Sequence, residues 1–362
     1  MKLCKIENLK GKEILAKDIV TSDYQILLSS GNKLKKELIE KLPEYGIREV
    51  YIEDEKPDTR TVVILRDEVK EGFKSKVKDI LEKHTYSHNE ELMELSMTAD
   101  KIIDNILEND NVVEKIYDIK ERNSDVYEHS ISICSLATLV ALKMGLSHET
   151  VHDIGVSCLL HDIGLRYLTI DYENQDINAL SKNELAEYKK HPVYGYSALR
   201  NENWISMESK NMILYHHERL DGTGYPLKAT EIPQTCRIVQ VCDAFDEMIC
   251  GIGCRRNKVY EAIEYLKAYS GKKFDSDVVD IFLKFTAVYP AGTKIMTNEG
   301  EIGVVLYQNN EFPSRPVIRI TQDAKGKEVD VVKDLIKINN IYIEPSLKEI
   351  DSLRDTISVF SR

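Results

Sequence analysis

The sequence predicts a mainly α-helical protein with a small α+β module at its N-terminal end and a small β module at its C-terminal end. Three observations carry that reading. Helix-period apolar spacing dominates from about residue 67 to residue 290. Short strand-like runs separated by polar turns lie before Pro57. Beyond Pro290 the period returns to two, with glycine-bearing turns between the runs.

Residues 1–57 read as a strand-rich accessory module. Ile14-Leu15-Ala16 and Ile26-Leu27-Leu28 flank a Thr21-Ser22-Asp23 turn, and Ser29-Ser30-Gly31-Asn32 makes a second turn. Leu38, Ile39 and Leu42 share one helical turn, and Glu49-Val50-Tyr51-Ile52 closes as a strand. Residues 58–111 form a connector. Thr61-Val62-Val63-Ile64-Leu65 reads as a further strand, after which the pattern turns helical and highly charged. Ile102, Ile103, Ile106 and Leu107 share one helix face, and the connector as a whole is a candidate homodimer contact.

Residues 112–290 are expected to be helical almost throughout. Asn123-Ser124 cap a helix reaching Met144, with Gly145 as its stop. Ser147 opens the next helix, which ends at His161-Asp162 ahead of Gly164. Ser181 and Glu184 fit a capping box. One later helix carries Met212-Ile213-Leu214 into His216-His217, and another carries Ile238, Val239 and Val241 into Asp243, Phe245 and Met248. In residues 291–345, Glu301 to Tyr307 and Pro316 to Ile320 alternate as strands, with turns at Asn298-Glu299-Gly300 and Lys325-Gly326. Ser346 and Glu349 are placed to cap a tail helix over residues 346–362.

Composition narrows the function. A length of 362 residues, 42% hydrophobic and 30% charged, suits an ordinary soluble protein with at least one large core. No apolar run approaches the roughly 20 residues that span a bilayer, which argues against a membrane partner. The first residues lack an apolar signal core, so the cytoplasm is the expected compartment. A net charge of −12 opposes binding to a nucleic-acid polymer, whose phosphates need basic excess. A small anion remains compatible, because a metal pocket supplies its own positive charge. Of the seven cysteines, Cys158 looks like a small buried hydrophobe, and Cys250 and Cys254 read as reduced structural thiols.

The chemistry concentrates in the central block. His129, His161, His191, His216 and His217 have distinctive neighbours, whereas His84, His88, His148 and His152 sit in polar helical contexts expected to be exposed. His161-Asp162 at a helix end can direct an imidazole and a carboxylate into one cavity, and the carboxylate has two oxygens to bridge two cations. Mixed His and carboxylate ligation suits Fe, Mn, Zn or Co. Two such ions about 3.5–4 Å apart can share a water, lower its pKa and clamp a phosphate. His216-His217 are followed by Asp221-Gly222-Thr223-Gly224-Tyr225-Pro226, a run that must turn sharply.

In order, the motifs are Glu128-His129-Ser130, His161-Asp162-Ile163-Gly164, His191-Pro192-Val193-Tyr194-Gly195, the run from His216 to Pro226, and Asp243-Ala244-Phe245-Asp246. With them the chain resembles the HD-GYP subgroup of the HD phosphohydrolases, an all-helical metal-hydrolase domain, over about residues 112–290. The resemblance implies hydrolysis of cyclic di-GMP to pGpG and onward to GMP, by hydroxide shared between two divalent ions, iron or manganese. It implies one metal held by His129, His161, Asp162 and Asp243 and a second by Asp162, His191, His216 and His217. His161 and Asp162 are then the catalytic pair, with Asp162 bridging. Asp125, one turn before His129, either helps hold a third metal or caps the helix. Gly224, Tyr225 and Pro226 are implied to contact the guanine-bearing substrate, with Tyr225 either stacking on a purine or packing the loop. Arg255 and Lys258 resemble a basic pair implicated in phosphate binding, displaced by the insertion Cys250-Gly251-Ile252-Gly253-Cys254.

One position departs from the pattern. The subgroup usually carries lysine directly after His-Asp-x-Gly, and here that residue is Leu165. Leucine neither neutralises a phosphate nor protonates a leaving oxygen, and Arg166 would leave on a different side of a helix. The departure keeps two other readings open: a receptor that binds cyclic di-GMP without cleaving it, and a hydrolase of another cyclic dinucleotide or guanosine polyphosphate.

Overall fold

The structure, a computed structural model, describes residues 2–6, 9, 11, 13–15, 19–20, 26–28, 32–45, 47–52, 62–87, 90–108, 112–172, 176–309 and 312–344. The turns expected at Thr21-Ser22-Asp23 and Ser29-Ser30-Gly31, His88, and the tail helix from Ser346 lie outside the described residues. The chain divides into two compact units, residues 1–60 and 61–362.

In the first unit β1 (Lys2–Lys5) pairs antiparallel with β4 (Glu49–Ile52), and β2 (Ile19–Val20) with β3 (Ile26–Leu28). Between β3 and β4 runs the short helix α1 (Lys36–Ile39), and Ile14 bridges to Lys33. Leu15, Leu34, Ile39, Leu42 and Val50 make its small core.

The second unit begins with α2 (Asp67–Ser87) and α3 (Glu94–Leu107). Residues 62–65 are not the expected strand. The Val62 amide donates to Asp118 Oδ2 (3.0 Å) and the Val62 carbonyl accepts from the Asp118 amide (2.8 Å), so side-chain capping takes the place of a ladder. The face bearing Ile102, Ile103 and Ile106 is fully buried in the same core as α4 (Val126–Lys143) and α5 (His148–Leu160). This apolar stripe is thus used inside the unit, and Leu107 alone of the four faces solvent. His152 is likewise not free: its Nδ1 donates to Asp100 Oδ1 at 2.6 Å, joining α5 to α3, while His148 is exposed.

Helices α6 (Lys182–Tyr188), α7 (His191–Leu199), α8 (Met207–Tyr215), α9 (Gln234–Cys250), α10 (Val259–Tyr269) and α11 (Ser276–Phe285) complete the helical body. Ser147 caps α5 and Ser181-Glu184 forms the expected capping box of α6. For α4 the cap is Asp125, not Asn123-Ser124: its Oδ1 accepts from the Tyr127 and Glu128 amides at 3.0 and 2.9 Å. Residues from α4, α5 and α9, such as Leu136, Leu159 and Phe245, fill the centre.

Beyond α11, β5 (Lys294–Thr297), β6 (Ile302–Tyr307), β7 (Val317–Gln322), β8 (Glu328–Asp334) and β9 (Ile343–Glu344) form one antiparallel sheet in the order β8-β7-β6-β5-β9. Buried Asp118 ties this sheet to the helical body, because its Oδ1 accepts from the Ala291 amide (2.7 Å) and Gln308 Nε2 (3.1 Å) while its Oδ2 holds Val62. Asp118→Ala leaves the buried Ala291 amide and the half-buried Val62 amide without their acceptor and is expected to cost about 2–4 kcal/mol in urea denaturation. A loss below about 0.5 kcal/mol, the scale of an ordinary surface change, would contradict that role.

Candidate metal centre

The candidate ligands arrive from helix ends, where the chain can turn a side chain along the helix axis into a shared space. His161 is the C-cap of α5 and His216 the C-cap of α8, while His191 is the first residue of α7 and His129 and Asp243 project from α4 and α9. Two glycines allow the close approach. Gly164 packs against Gly195 of α7, and a Cβ on Gly164 would run into the His191 carbonyl. A Cβ on Gly224 would lie 2.5 Å from the His217 carbonyl oxygen and the Glu218 Cα.

The donor atoms fall into two sets. Asp162, His191, His216 and His217 form one, and His129, His161 and Asp243 the other; within each, the donor atoms lie within 4.8 Å of one another. Asp162 touches both: its Oδ2 is 3.1 Å from His161 Nε2, and its Oδ1 is 3.5 Å from His191 Nε2 and 3.9 Å from His216 Nε2. The expected ligands are therefore brought together, and all seven lie in buried or nearly buried positions.

Hydrogen bonds fix which nitrogen faces inward. The Nδ1–H of His161 donates to the Cys158 carbonyl (2.9 Å), that of His191 to Tyr188 (2.9 Å) and that of His216 to Ile213 (2.7 Å). A carbonyl can only accept, so the proton sits on Nδ1 and the Nε2 lone pair is left for a cation. His129 Nδ1 makes the same bond to Asp246 Oδ2 (2.7 Å), and Asp246 is held by the two terminal nitrogens of Arg122. His161 Nε2 and Asp243 Oδ2 are buried without a hydrogen-bond partner, orphaned atoms of the kind a bound cation satisfies. Nitrogen and oxygen donors in this ratio fit divalent transition metals.

Electrostatics agree. Burial, then the neighbouring imidazoles, pushes His216 down to about 3, and His217 and His191 also fall, so these rings are neutral and ready to ligate. For Asp162, burial opposes the charge, but His161 and His191 overcome it and hold the carboxyl below its usual range. His129 is raised: burial works against its charge, and its bonds to Asp243 and Asp246 outweigh that.

Other expected residues take different places. Asp125 is the helix cap described above, and its Oδ2 lies 3.4 Å from Lys74 Nζ. Tyr225 packs on a ligand, its ring stacked on His217 at 4.6 Å between centroids. Pro226 follows it across a cis peptide. Arg255 is exposed on the loop after α9, and Lys258 lines a separate cavity against Pro290 and Lys294. The structure also adds residues that the motifs leave unassigned. Fully buried Glu218 accepts from the Leu227 and Ala229 amides (2.5 and 3.0 Å), bracing the loop that carries Tyr225. Glu247 lies 4.0 Å from His217 Nε2, one turn beyond Asp243, and that i, i+4 spacing was the signal for it. Arg122 had none, since its partner is 124 residues away.

The fold and site thus define a helical domain whose clustered imidazoles and carboxylates can hold divalent cations. Residues 111–278 match the HD domain, and residues 295–353 match a KOW domain associated with the HD domain. A cyclic di-GMP phosphodiesterase of Pseudomonas aeruginosa is 29% identical over 232 residues, 63% of this chain and 56% of that protein. One from Thermotoga maritima is 34% identical over 167 residues, 45% of each chain. A 3′3′-cGAMP-specific phosphodiesterase of Vibrio cholerae is 27% identical over 170 residues, 46% of this chain and 32% of that one. The chain spans about half the length of the first two relatives. Among solved structures, an HDG"Y"P protein from Bdellovibrio bacteriovorus shares the fold with a TM-score of 0.51 at 19% identity, over 78% of this chain and 97% of that one.

Asp246→Asn keeps the shape but removes the charge behind His129. Metal affinity is expected to fall about 10–100-fold in chelator competition, and an unchanged affinity would dismiss the relay. The metal-free protein carries a pH signature. Below the ordinary histidine value near 6.5, His129 and His161, both raised, are charged in folded and unfolded chains alike. His216, His217 and His191 take up protons only on unfolding, so stability falls as pH drops from about 6.5 toward 3. Melting midpoints of chelated protein that rose on acidification over that window would refute the assignment.

Proposed function

We propose that this protein is a metal-dependent phosphodiesterase of the HD-GYP type that hydrolyses cyclic di-GMP to pGpG and onward to GMP. The carrying observation is Asp162, whose two carboxylate oxygens turn to different ligand sets. Such a split suits a bridge between two ions and has no use in a core that merely satisfies buried histidines. The named activity of the Pseudomonas and Thermotoga relatives supports the same substrate. Iron or manganese is the proposed metal, consistent with the His–carboxylate donor set. None of the described helices is long and apolar enough to cross a membrane, and we place the protein in the cytoplasm.

The chain's own residues divide the work. When bound, the divalent ions supply Lewis-acid charge to the phosphate and lower the pKa of water. His161, His191 and His216, held by backbone carbonyls, and His129, held by Asp246, keep the donors at fixed positions so that no reorganisation is needed at reaction. Tyr225, stacked on His217 and tied by Glu218 through its loop, closes one side of the centre against solvent.

The test is turnover by purified, metal-loaded protein over a panel of cyclic di-GMP, 3′3′-cGAMP and guanosine polyphosphate, alongside the double variant His161→Ala, Asp162→Ala. Cyclic di-GMP is expected to be cleaved fastest, with the double variant inactive and depleted in metal. Normal turnover by the variant would remove the proposed centre. Tight cyclic di-GMP binding by wild type without product would leave a receptor in its place.

A further inference from the structure

A cavity of 520 Å3 opens beside the metal centre, a size proper to a small-molecule site. Leu165 and Tyr188 form the wall nearest the ligands. Leu165 is three residues past Asp162 and its amide donates to the Asp162 carbonyl, and the Tyr188 ring lies 5.2 Å from that of His191. Tyr127, Tyr172 and the backbone of Gly251-Ile252-Gly253 continue the lining. Helix α2 adds Lys74, Ser75 and Lys78 to the lining, which also carries the carboxylates of Glu71 and Asp125. This helix lies outside the block that matches the HD domain.

The two lysines are the cationic side chains of that lining, and they differ in commitment. Lys74 is bound to Glu71 at 2.9 Å and to Asp125 at 3.4 Å. Lys78 meets Glu82 only at 4.0 Å, at the limit of an ion pair, and its Nζ sits 6.0 Å from the Tyr127 ring centroid. A cyclic dinucleotide carries two phosphates. The metal centre can neutralise the one it cleaves, and the second needs a cation elsewhere. Leu165 cannot provide it.

We propose that this cavity is the subsite for the second nucleotide of the substrate, and that Lys78 on α2 holds that nucleotide's phosphate. The inference rests on the cyclic dinucleotide reading above. It makes α2 part of the substrate site, so that the cation Leu165 does not supply comes from that helix. The aromatic lining offers faces for a purine and the glycine loop offers close backbone approach.

The experiment uses the full-length, metal-loaded chain and the variants Lys78→Glu, Lys78→Arg and, as a control outside the cavity, Lys83→Glu. Steady-state KM for cyclic di-GMP and the dissociation constant for GMP are measured for each, with melting temperature as a check on folding. Lys78→Glu is expected to raise both constants at least about tenfold, the equivalent of 1.4 kcal/mol, with Lys78→Arg restoring them and Lys83→Glu matching wild type. Both constants within about twofold of wild type in Lys78→Glu would overturn the subsite, since that is under half the tenfold step. If wild type does not turn over cyclic di-GMP at all, the reading of the substrate fails, and the GMP constant alone then decides the cavity.

Discussion

The structure is organised around a cost. Five imidazoles and two carboxylates converge in a space from which water is largely excluded, and buried polar groups without partners are expensive. Backbone carbonyls at the helix ends offset part of it by taking every Nδ1 proton they can reach. What they leave over, the Nε2 lone pairs and the free carboxylate oxygens, forms a negative, electron-rich pocket that only cations complete. Divalent cations bound there would reverse the local sign and let an acidic chain of net charge −12 attract an anion.

The same constraint explains where small residues are demanded. Helix α7 delivers His191 only because its backbone presses on the turn after Asp162, and Gly164 facing Gly195 is what lets the two approach. The loop after His217 folds back so closely that a Cβ on Gly224 would clash with the His217 carbonyl, and the Tyr225 amide donates to that carbonyl at 3.1 Å. Glu218 between them is buried with both oxygens satisfied by the loop it spans. Ligand geometry and loop geometry are one problem here, solved by a short stretch of chain.

Much of this was legible in the sequence because the informative residues are local. His161-Asp162 before a glycine, and His216-His217 at the end of an apolar helix, carry position and chemistry together. Helix starts at Ser147 and Ser181 were legible for the same reason. The failures share a cause. The run at 62–65 has strand composition but is claimed by Asp118, far along the chain, and the face of Ile102 and Ile106 finds its partners inside the unit. Arg122–Asp246 and His152–Asp100 are pairings across distance that no window of sequence displays. Asp125 shows a subtler limit, since capping and metal binding ask for the same carboxylate one turn before His129. The amides of Tyr127 and Glu128 show the capping use of Oδ1, which the sequence does not separate from a metal role.

A last step concerns how a site tolerates losing a charged residue. In a pocket walled by several helices, a substrate phosphate senses the field at its own position, not the identity of the helix that supplies it. Leucine after the His-Asp-Ile-Gly turn makes that part of the lining apolar. A lysine on α2 reaches the same cavity on a flexible stem that keeps its charge hydrated until a ligand arrives. Because α2 is the first helix of the second unit, charge complementarity at the site becomes sensitive to how that helix is seated, which a lysine at position 165 would not be.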